Sequence, residues 1–325
     1  MPQLTVVVPA YNEAAGLASF HQRLVAVLDG LAMDASVLYI DDGSRDATWP
    51  AIEAMAAADS RVEALRLSRN FGKEAAMTAG LDHTDADAVI VIDADLQDPP
   101  ELIPELIAQW QGGYDVVYAT RDTRAGESRF KRFTAAGFYR AMEHLSDIPI
   151  PRDTGDFRLL SRRAVDALRG LRERQRFMKG LFAWIGYRQT AVHYRRHPRE
   201  SGHSKWSYWR LWNLAVEGIT SFSVAPLKIA TWLGLGTATL AFLYGVYVFI
   251  KAMIWGDPVR GYPTLMLVIL LLGGVQLLAL GVIGEYLGRL YAESKQRPLY
   301  VIEQHHRIGP SESIPRRSPA SIEPR

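Results

Sequence analysis

Two aspartates separated by a single residue, in Asp93-Ala94-Asp95, are the residues whose spacing most clearly predicts chemistry. In an extended chain, residues i and i+2 point to the same side, so the two carboxylates can share one cation. Mg²⁺ and Mn²⁺ take oxygen ligands, and Mg²⁺ usually keeps substrate phosphates in its coordination shell. The pair therefore predicts a site for a divalent cation and a diphosphate. The alternative is a helix cap followed by a solvated turn residue.

The elements that must position this pair are strands alternating with helices. Apolar runs typical of buried strands occur at 4–10, 36–42, 62–68, 87–95 and 114–121, and helical patterns lie between them. This alternation predicts a mostly parallel sheet covered by helices on both faces, with ligands bound beyond the carboxyl ends of the strands. Polar residues collect at those ends, and they are Tyr11, Asn12, Glu13, Asp41, Asp42, Asp93, Asp95 and Arg121.

Several other kinds of site are excluded or lose support. No G-x-G-x-x-G follows the first strand and no G-x-x-x-x-G-K occurs, which argues against nicotinamide and P-loop nucleotide sites. The chain has no cysteine, which excludes disulfide scaffolds, thiolate metal sites and cysteine nucleophiles. No H-E-x-x-H occurs among the histidines, and His305 and His306 are expected in solvent.

Two windows without a charged residue, 229–250 and 261–284, predict a pair of membrane-spanning helices. Each is long enough, at about 1.5 Å per residue, to cross a hydrocarbon core of about 30 Å. The alternative is a pair of buried core helices. Residues 251–260 are predicted to form the turn of the hairpin. Because basic residues are more numerous outside the pair than in this turn, the positive-inside rule predicts that both termini are cytoplasmic.

Charge is distributed unevenly along the chain. Residues 1–120 carry 6 basic and 19 acidic side chains, whereas residues 121–210 carry 21 and 9. A basic middle region indicates an anionic partner, and the apolar windows favour lipid over nucleic acid. Aromatic residues at 206–212 and the basic, aromatic run at 129–139 predict helices lying at the membrane surface. The alternatives are a helix packed on the globular domain and a solvated helix.

Six segments together resemble the family 2 glycosyltransferases, whose nucleotide-sugar-binding fold is called GT-A. They are VVVPAYNE (6–13), IDDGSRDAT (40–48), LSRNFGKEAAMTAGLD (67–82), VIDADLQDPPE (91–101), DTGDFRLLSRR (153–163) and RESGHSK (199–205). The two C-terminal spans narrow the resemblance to the polyprenyl-phosphate glycosyltransferases, the group related to dolichol-phosphate mannose synthase and the bactoprenol glucosyltransferases.

The resemblance and the apolar windows together imply an α/β fold in four parts. A cytoplasmic GT-A (Rossmann-like) catalytic domain is expected at 1–205, with an amphipathic segment near 128–145, and an interfacial helix at 206–227. Two transmembrane helices, 229–250 and 262–284, are expected within 228–290. The cytoplasmic tail, 291–325, is expected to be largely disordered after 307.

The resemblance also implies roles for individual residues in holding the donor. Pro9, Tyr11, Glu13 and Asp42 match positions that hold the base and ribose. Asp93 and Asp95 match the positions that bind the diphosphate and Mg²⁺ or Mn²⁺, with Ala94 and Gln97 beside them. Arg121 matches an arginine near the donor sugar or phosphates, and Arg199, Ser204 and Lys205 match a basic loop that closes over the diphosphate. Lipid binding is the alternative for Arg199 and Lys205.

Catalytic roles are expected for Asp95, Asp156 and Arg158. A lipid phosphate has a second pKa of about 6 and is largely ionised at neutral pH, so it needs no base to become a nucleophile. Asp156 is therefore expected to position the acceptor or the metal. Arg158 is expected to contact the acceptor phosphate, with a structural salt bridge as the alternative.

The implied activity is inverting transfer of a single sugar from a nucleotide-sugar to undecaprenyl (polyprenyl) phosphate. It is expected at the cytoplasmic face of the inner membrane, in a multi-pass protein. UDP-glucose is the first expectation for the donor, and GDP-mannose or another UDP-sugar is the alternative. A processive polysaccharide synthase is disfavoured because no Q-x-x-R-W motif occurs. A non-catalytic membrane protein that binds a nucleotide-sugar is the alternative from another class. The glycines of the spans favour a homo-oligomer, and the resemblance favours a tetramer.

Overall fold

The computed structural model describes residues 2–121, 154–174, 176–194, 225–255 and 261–306. The predicted amphipathic segment near 128–145, most of the predicted interfacial helix at 206–227 and the tail after 306 lie outside these residues.

An eight-stranded sheet runs through the described part of the chain, in the order β7-β5-β6-β4-β1-β2-β3-β8. Its strands are β1 Gln3–Ala10, β2 Asp34–Asp41, β3 Val62–Leu67, β4 Ala88–Val91, β5 Val116–Arg121, β6 Thr154–Ser161, β7 Gln189–Tyr194 and β8 Ile302–His306. Strands β1 to β4 pair in parallel, as do β5 and β7, whereas β6 and β8 run antiparallel to their neighbours. The mostly parallel sheet expected from the alternating pattern is confirmed, with two reversed strands that the pattern did not predict.

Helices cover both faces of this sheet because successive strand residues point to opposite sides. The helices are α1 Ala14–Leu28, α2 Thr48–Ala58, α3 Lys73–Asp82, α4 Ile103–Gln111, α5 Arg162–Gly170, α6 Met178–Trp184, α7 Ala225–Trp255 and α8 Tyr262–Ser294. On one face, α1, α2 and α4 pack against a core that contains Val6 and Val8. On the other face, α3, α5 and α6 pack against a core that contains Val7.

Helix α3 lies unusually close to the sheet. All seven residues from Ala75 to Leu81 are buried, and most of them are small. At Gly80, an added Cβ would lie 2.3 Å from Cγ1 of Val7 and 2.9 Å from Cδ1 of Ile40. Glycine therefore sets the distance between the helix and strands β1 and β2. This distance matters for the site because the first residue of α3 is Lys73.

The C-terminal helices α7 and α8 pack on each other as a hairpin. Large apolar side chains on both are exposed, among them Trp232 (71%), Leu240 (70%) and Leu277 (72%). Among the described residues, one segment is long and apolar enough to cross a membrane. It is Leu271–Ser294, with a mean hydropathy of 1.5. The boundaries predicted for the two spans stay predictions.

Helix α7 extends beyond both limits that the sequence indicated. It continues to Trp255, so the expectation that the hairpin turn begins at Lys251 is wrong for residues 251–255. The physical reason is that no residue in 251–255 disfavours a helix, and the first glycine and proline follow at 256 and 258. The helix begins at Ala225, inside the range assigned to the interfacial helix.

The chain returns from the hairpin to the sheet through strand β8, which the sequence pattern did not predict. β8 pairs with β3, and the amide of Ser68 donates to the carbonyl of Val301 (2.9 Å). The side chain of His305 is only 10% exposed and packs on His83, so the expectation that His305 lies in solvent is wrong. A five-residue polar edge strand has no apolar alternation from which it could be predicted.

We expect Gly80→Val to lower the free energy of unfolding by about 1–3 kcal/mol, because the new side chain would overlap Val7 and Ile40. Thermal unfolding of the purified protein in detergent measures this change. The control is Gly16→Ala in α1, where an added Cβ meets no heavy atom within 4 Å. That variant should be as stable as the wild type or up to about 1 kcal/mol more stable. An unchanged unfolding temperature for Gly80→Val would contradict the close approach of α3.

Candidate active site

The carboxyl ends of β1, β2 and β4 meet at a cavity of about 250 Å³. Seven residues that the sequence analysis singled out line it, and they are Pro9, Tyr11, Glu13, Asp42, Asp93, Ala94 and Asp95. Four residues that it did not single out complete the described lining, and they are Ala10, Asn70, Lys73 and Ala76. The structure therefore brings most of the expected donor-binding residues together, while their individual roles stay predictions.

The loops after β1 and β2 are tied together by side chain to backbone hydrogen bonds. Asn12 has a left-handed backbone (φ 55°). Its amide donates to Oγ of Ser44 (3.0 Å), and its Oδ1 accepts from the amide of Arg45 (2.9 Å). The amide of Glu13 donates to Oγ1 of Thr48 (2.9 Å). Because the two loops hold each other, Tyr11 and Glu13 have a fixed place at the cavity.

Asp42 is 3% exposed and anchors a third loop. Its two carboxylate oxygens accept from the amides of Phe71 (2.7 Å) and Gly72 (2.9 Å). Burial raises the pKa of Asp42, and these hydrogen bonds oppose the rise. The neighbouring Gly43 has φ +67°, and an added Cβ would lie 2.4 Å from the backbone of Arg69. Asp42 thus lines the cavity and also holds the loop that leads into Lys73.

Asp95 is presented by a tight turn. Its Oδ1 accepts from the amide of Gln97 (3.0 Å), and Leu96 has a left-handed backbone (φ 57°). Asp98 is 3% exposed and accepts a hydrogen bond from the hydroxyl of Tyr194 in β7. The contact between Asp98 and Tyr194 therefore holds the turn against the sheet, while the Asp95 side chain remains exposed. Gln97 is buried and does not belong to the described lining of the cavity.

Lys73 joins two of the expected aspartates. Its ammonium lies 2.7 Å from both carboxylate oxygens of Asp93, and it also donates a hydrogen bond to Asp156. Burial raises the pKa of Asp93, with Lys73 opposing the rise. Burial acts the same way on Asp156, but Lys73 and Lys179 outweigh it and lower the pKa of Asp156. The sequence analysis missed Lys73, although the residue lies within the 67–82 segment.

Arg158, expected to contact the acceptor phosphate, is buried beside the cavity strands. It is 3% exposed, its guanidinium stacks on the ring of Phe182 (3.8 Å), and it donates to the carbonyl of Gly155 (2.9 Å). Burial lowers the pKa of Arg158 to about 10. In the described structure it supports the strand that carries Asp156 and does not line the cavity. The described contacts of its guanidinium are a ring and backbone carbonyls, not the salt bridge given as the alternative, and the contact with the acceptor phosphate stays a prediction.

The remaining expected residues are only partly described. Arg121 ends β5, where its backbone pairs with Tyr194 of β7. Arg199, Ser204 and Lys205 lie outside the described residues.

The described residues fit a cation that takes only some of its ligands from the protein and the others from a bound phosphate. No cluster of three or more His, Asp or Glu side chains suited to a metal occurs among them. Asp93 is occupied by Lys73, whereas the Oδ2 atom of Asp95 has no hydrogen-bond partner in the described part of the chain. The protein thus offers one or two carboxylate ligands, and Mg²⁺ commonly takes the rest from phosphates and water.

Comparison with known proteins agrees with this geometry. The family model of glycosyl transferase family 2 matches residues 5–169, and that of the GtrB C-terminal hairpin matches 225–290. A glycosyltransferase of Synechocystis is 50% identical over 92% of this chain and 94% of its own length. The SfII prophage-derived bactoprenol glucosyl transferase of Shigella flexneri is 47% identical over 95% of this chain and 100% of its own. A prophage bactoprenol glucosyl transferase homolog of Escherichia coli is 45% identical over 93% and 99%.

The acidic cavity lies within the residues of the first family match, and most of the hairpin with exposed apolar faces lies within those of the second. The hairpin associates the protein with a membrane, and the cavity belongs to an enzyme that transfers sugars. The chain is a member of glycosyl transferase family 2.

Proposed function

We propose that this enzyme transfers a single glucose from UDP-glucose to undecaprenyl phosphate, with inversion at the anomeric carbon. The observation that carries the proposal is the combination, in one chain, of a cavity lined by predicted donor-binding residues and a GtrB-type hairpin. Relatives that share 45–48% identity over nearly their whole length and are named bactoprenol glucosyl transferases support this choice of sugar and acceptor.

The acceptor phosphate would act as the nucleophile without losing a proton, because it is largely ionised at neutral pH. One of its oxygens attacks the anomeric carbon while the bond from that carbon to the diphosphate breaks, and the nucleoside diphosphate leaves. The task of the protein is then to align the two substrates and to offset charge. Asp156 contacts Lys73, which lines the donor cavity, and would position the acceptor.

Asp95 would hold a divalent cation, Mg²⁺ or Mn²⁺, together with the donor diphosphate. Such a cation neutralises the charge that develops on the leaving group. Arg121, Arg199, Ser204 and Lys205 are proposed to contact the donor, as the family resemblance implies.

The proposed location is the cytoplasmic face of the inner membrane, with two spans and both termini in the cytoplasm. Helix α8 has 33 residues and is about 50 Å long, whereas a hydrocarbon core is about 30 Å thick. Its end reaches the catalytic domain, since Oε1 of Glu293 accepts from the amide of Arg174 (2.6 Å). The basic residues Arg289, Lys295 and Arg297 near this end agree with a cytoplasmic position.

We expect purified protein in detergent with Mg²⁺ to form one labelled lipid from undecaprenyl phosphate and a panel of labelled UDP- and GDP-sugars. UDP-glucose should be the donor, and EDTA should abolish the product. Asp95→Asn should lower the rate at least about 100-fold, because a carboxylate that holds the cation is lost.

The matched control is Asp34→Asn. Asp34 is exposed at the amino end of β2, whereas the cavity lies at the carboxyl ends of the strands. This variant should transfer glucose at the wild-type rate. A labelled lipid from GDP-mannose alone would overturn the proposed donor. No lipid product from any donor would overturn the proposed reaction.

The membrane topology can be tested with single cysteines, because the natural sequence has none. In intact cells, a membrane-impermeant maleimide should label Asp257→Cys, which lies in the segment predicted from the sequence to connect the spans. It should label Ser294→Cys, at the end of α8, only after the cells are broken. Labelling of Ser294→Cys in intact cells would place the catalytic domain on the wrong side of the membrane for this proposal.

Self-association through the hairpin is also part of the proposal. At Gly234, Gly236, Gly273 and Gly274, an added Cβ would meet no heavy atom within 4 Å in the described residues, so a second copy can approach these helices closely. The mass of the protein in detergent, measured by light scattering, should correspond to a tetramer. A monomer mass would contradict this part of the proposal.

A further inference from the structure

Lys73 occupies a place that the surrounding backbone determines. It is the first residue of α3 and follows a loop whose amides at 71 and 72 are held by Asp42. Gly72 enters the helix with φ 98°, a conformation that other residues rarely adopt. The start of the helix, and with it the ammonium of Lys73, is therefore directed to the end of β4.

The register of two strands creates a need for a cation at this point. In the β4–β6 pair, Ala88 lies opposite Ser161 and Val91 lies opposite Arg158. Continuing this register by two residues brings Asp93 opposite Asp156. Like charges that face each other across neighbouring strands are destabilising. The ammonium of Lys73 contacts both carboxylates and offsets this repulsion.

Lys73 also stands out in the charge distribution of the cavity. Its described lining contains Glu13, Asp42, Asp93 and Asp95, and Lys73 is the one basic side chain among them. The side chain of Lys73 is 41% exposed, more than those of Asp93 (27%) and Asp156 (14%). The ammonium therefore lies between a carboxylate of the donor cavity and the carboxylate proposed to position the acceptor.

We propose that Lys73 is a positioning residue for sugar transfer, because it holds Asp93 and Asp156 as one unit at the boundary between donor and acceptor. This inference rests on the proposed function and assigns a role within the same site. Removal of the ammonium would let the two carboxylates separate. The acceptor phosphate would then lose its alignment with the anomeric carbon, while the nucleotide contacts made by the loops after β1 and β2 remain.

The experiment compares Lys73→Met, Lys73→Arg, Asp156→Asn and the double variant Lys73→Met/Asp156→Asn. For each, kcat and the two KM values are measured with UDP-glucose and undecaprenyl phosphate. Donor binding in Mg²⁺ without acceptor is measured by equilibrium dialysis, and thermal unfolding reports folding. Lys295→Met, at the exposed end of α8, is the control and should behave as the wild type.

We expect Lys73→Met to lower kcat at least about 30-fold, with a change in donor Kd of less than about fivefold. Lys73→Arg keeps the charge and should recover at least about tenfold of the lost kcat. The double variant should lose no more than the worse single variant, because both substitutions break the same contact. It should also unfold at a higher temperature than Lys73→Met, since Asp156→Asn removes one of the two opposed charges.

Losses in kcat that multiply in the double variant would overturn this role, as would a Lys73→Met enzyme that keeps more than half of the wild-type kcat. A donor Kd that rises as much as kcat falls would make Lys73 a donor ligand and would also overturn it. These results require an active wild type. If the wild type transfers no sugar, the proposed function fails, and the role of Lys73 fails with it.

Discussion

The register between β4 and β6 is the constraint on which the rest of the site depends. Continued two residues beyond Val91, it brings Asp93 and Asp156 opposite each other, although 62 residues of chain separate them. Two like charges that are partly shielded from solvent and face each other are unfavourable unless a cation joins them. The ammonium of Lys73, the first residue of α3, contacts both carboxylates. The close packing of α3 at Gly80 and the anchoring of its preceding loop by Asp42 keep the helix in that place.

The acidic first third of the chain has two uses that the composition alone does not distinguish. Some carboxylates hold backbone amides and so give the loops their shape. Asp42 anchors the loop before α3, and Asp46 accepts from the amide of Thr48 (3.0 Å). Others, above all Asp95, line the cavity, and Oδ2 of Asp95 has no hydrogen-bond partner among the described residues. The bonds of Asp42 and Asp46 are made within the protein itself and shape the loops around the proposed donor site.

The chain segments on either side of the hairpin form the two edge strands of the sheet. Before the hairpin the chain forms β7 at one edge of the sheet, and after it the chain forms β8 at the opposite edge. Two hydrogen bonds hold the returning segment. The amide of Arg174 donates to Oε1 of Glu293, and the hydroxyl of Tyr300 donates to Asp82 (2.8 Å), at the end of α3. The helix that carries Lys73 thus lines the cavity at one end and contacts the segment that follows α8 at the other.

The sequence by itself determined the features that repeat at short range. Apolar runs predicted β1 to β5, charge-free windows predicted the two long helices, and the spacing of Asp93 and Asp95 singled out two residues that line the cavity. The tertiary structure alone decided the reversed strands β6 and β8, the burial of Arg158 and the contacts of Lys73. These features depend on pairing between residues far apart in the chain, which no local pattern records. The sequence around Lys73 indicates only a lysine at the start of a helix. Its contacts with Asp93 and Asp156 exist because the fold brings the ends of two distant strands together.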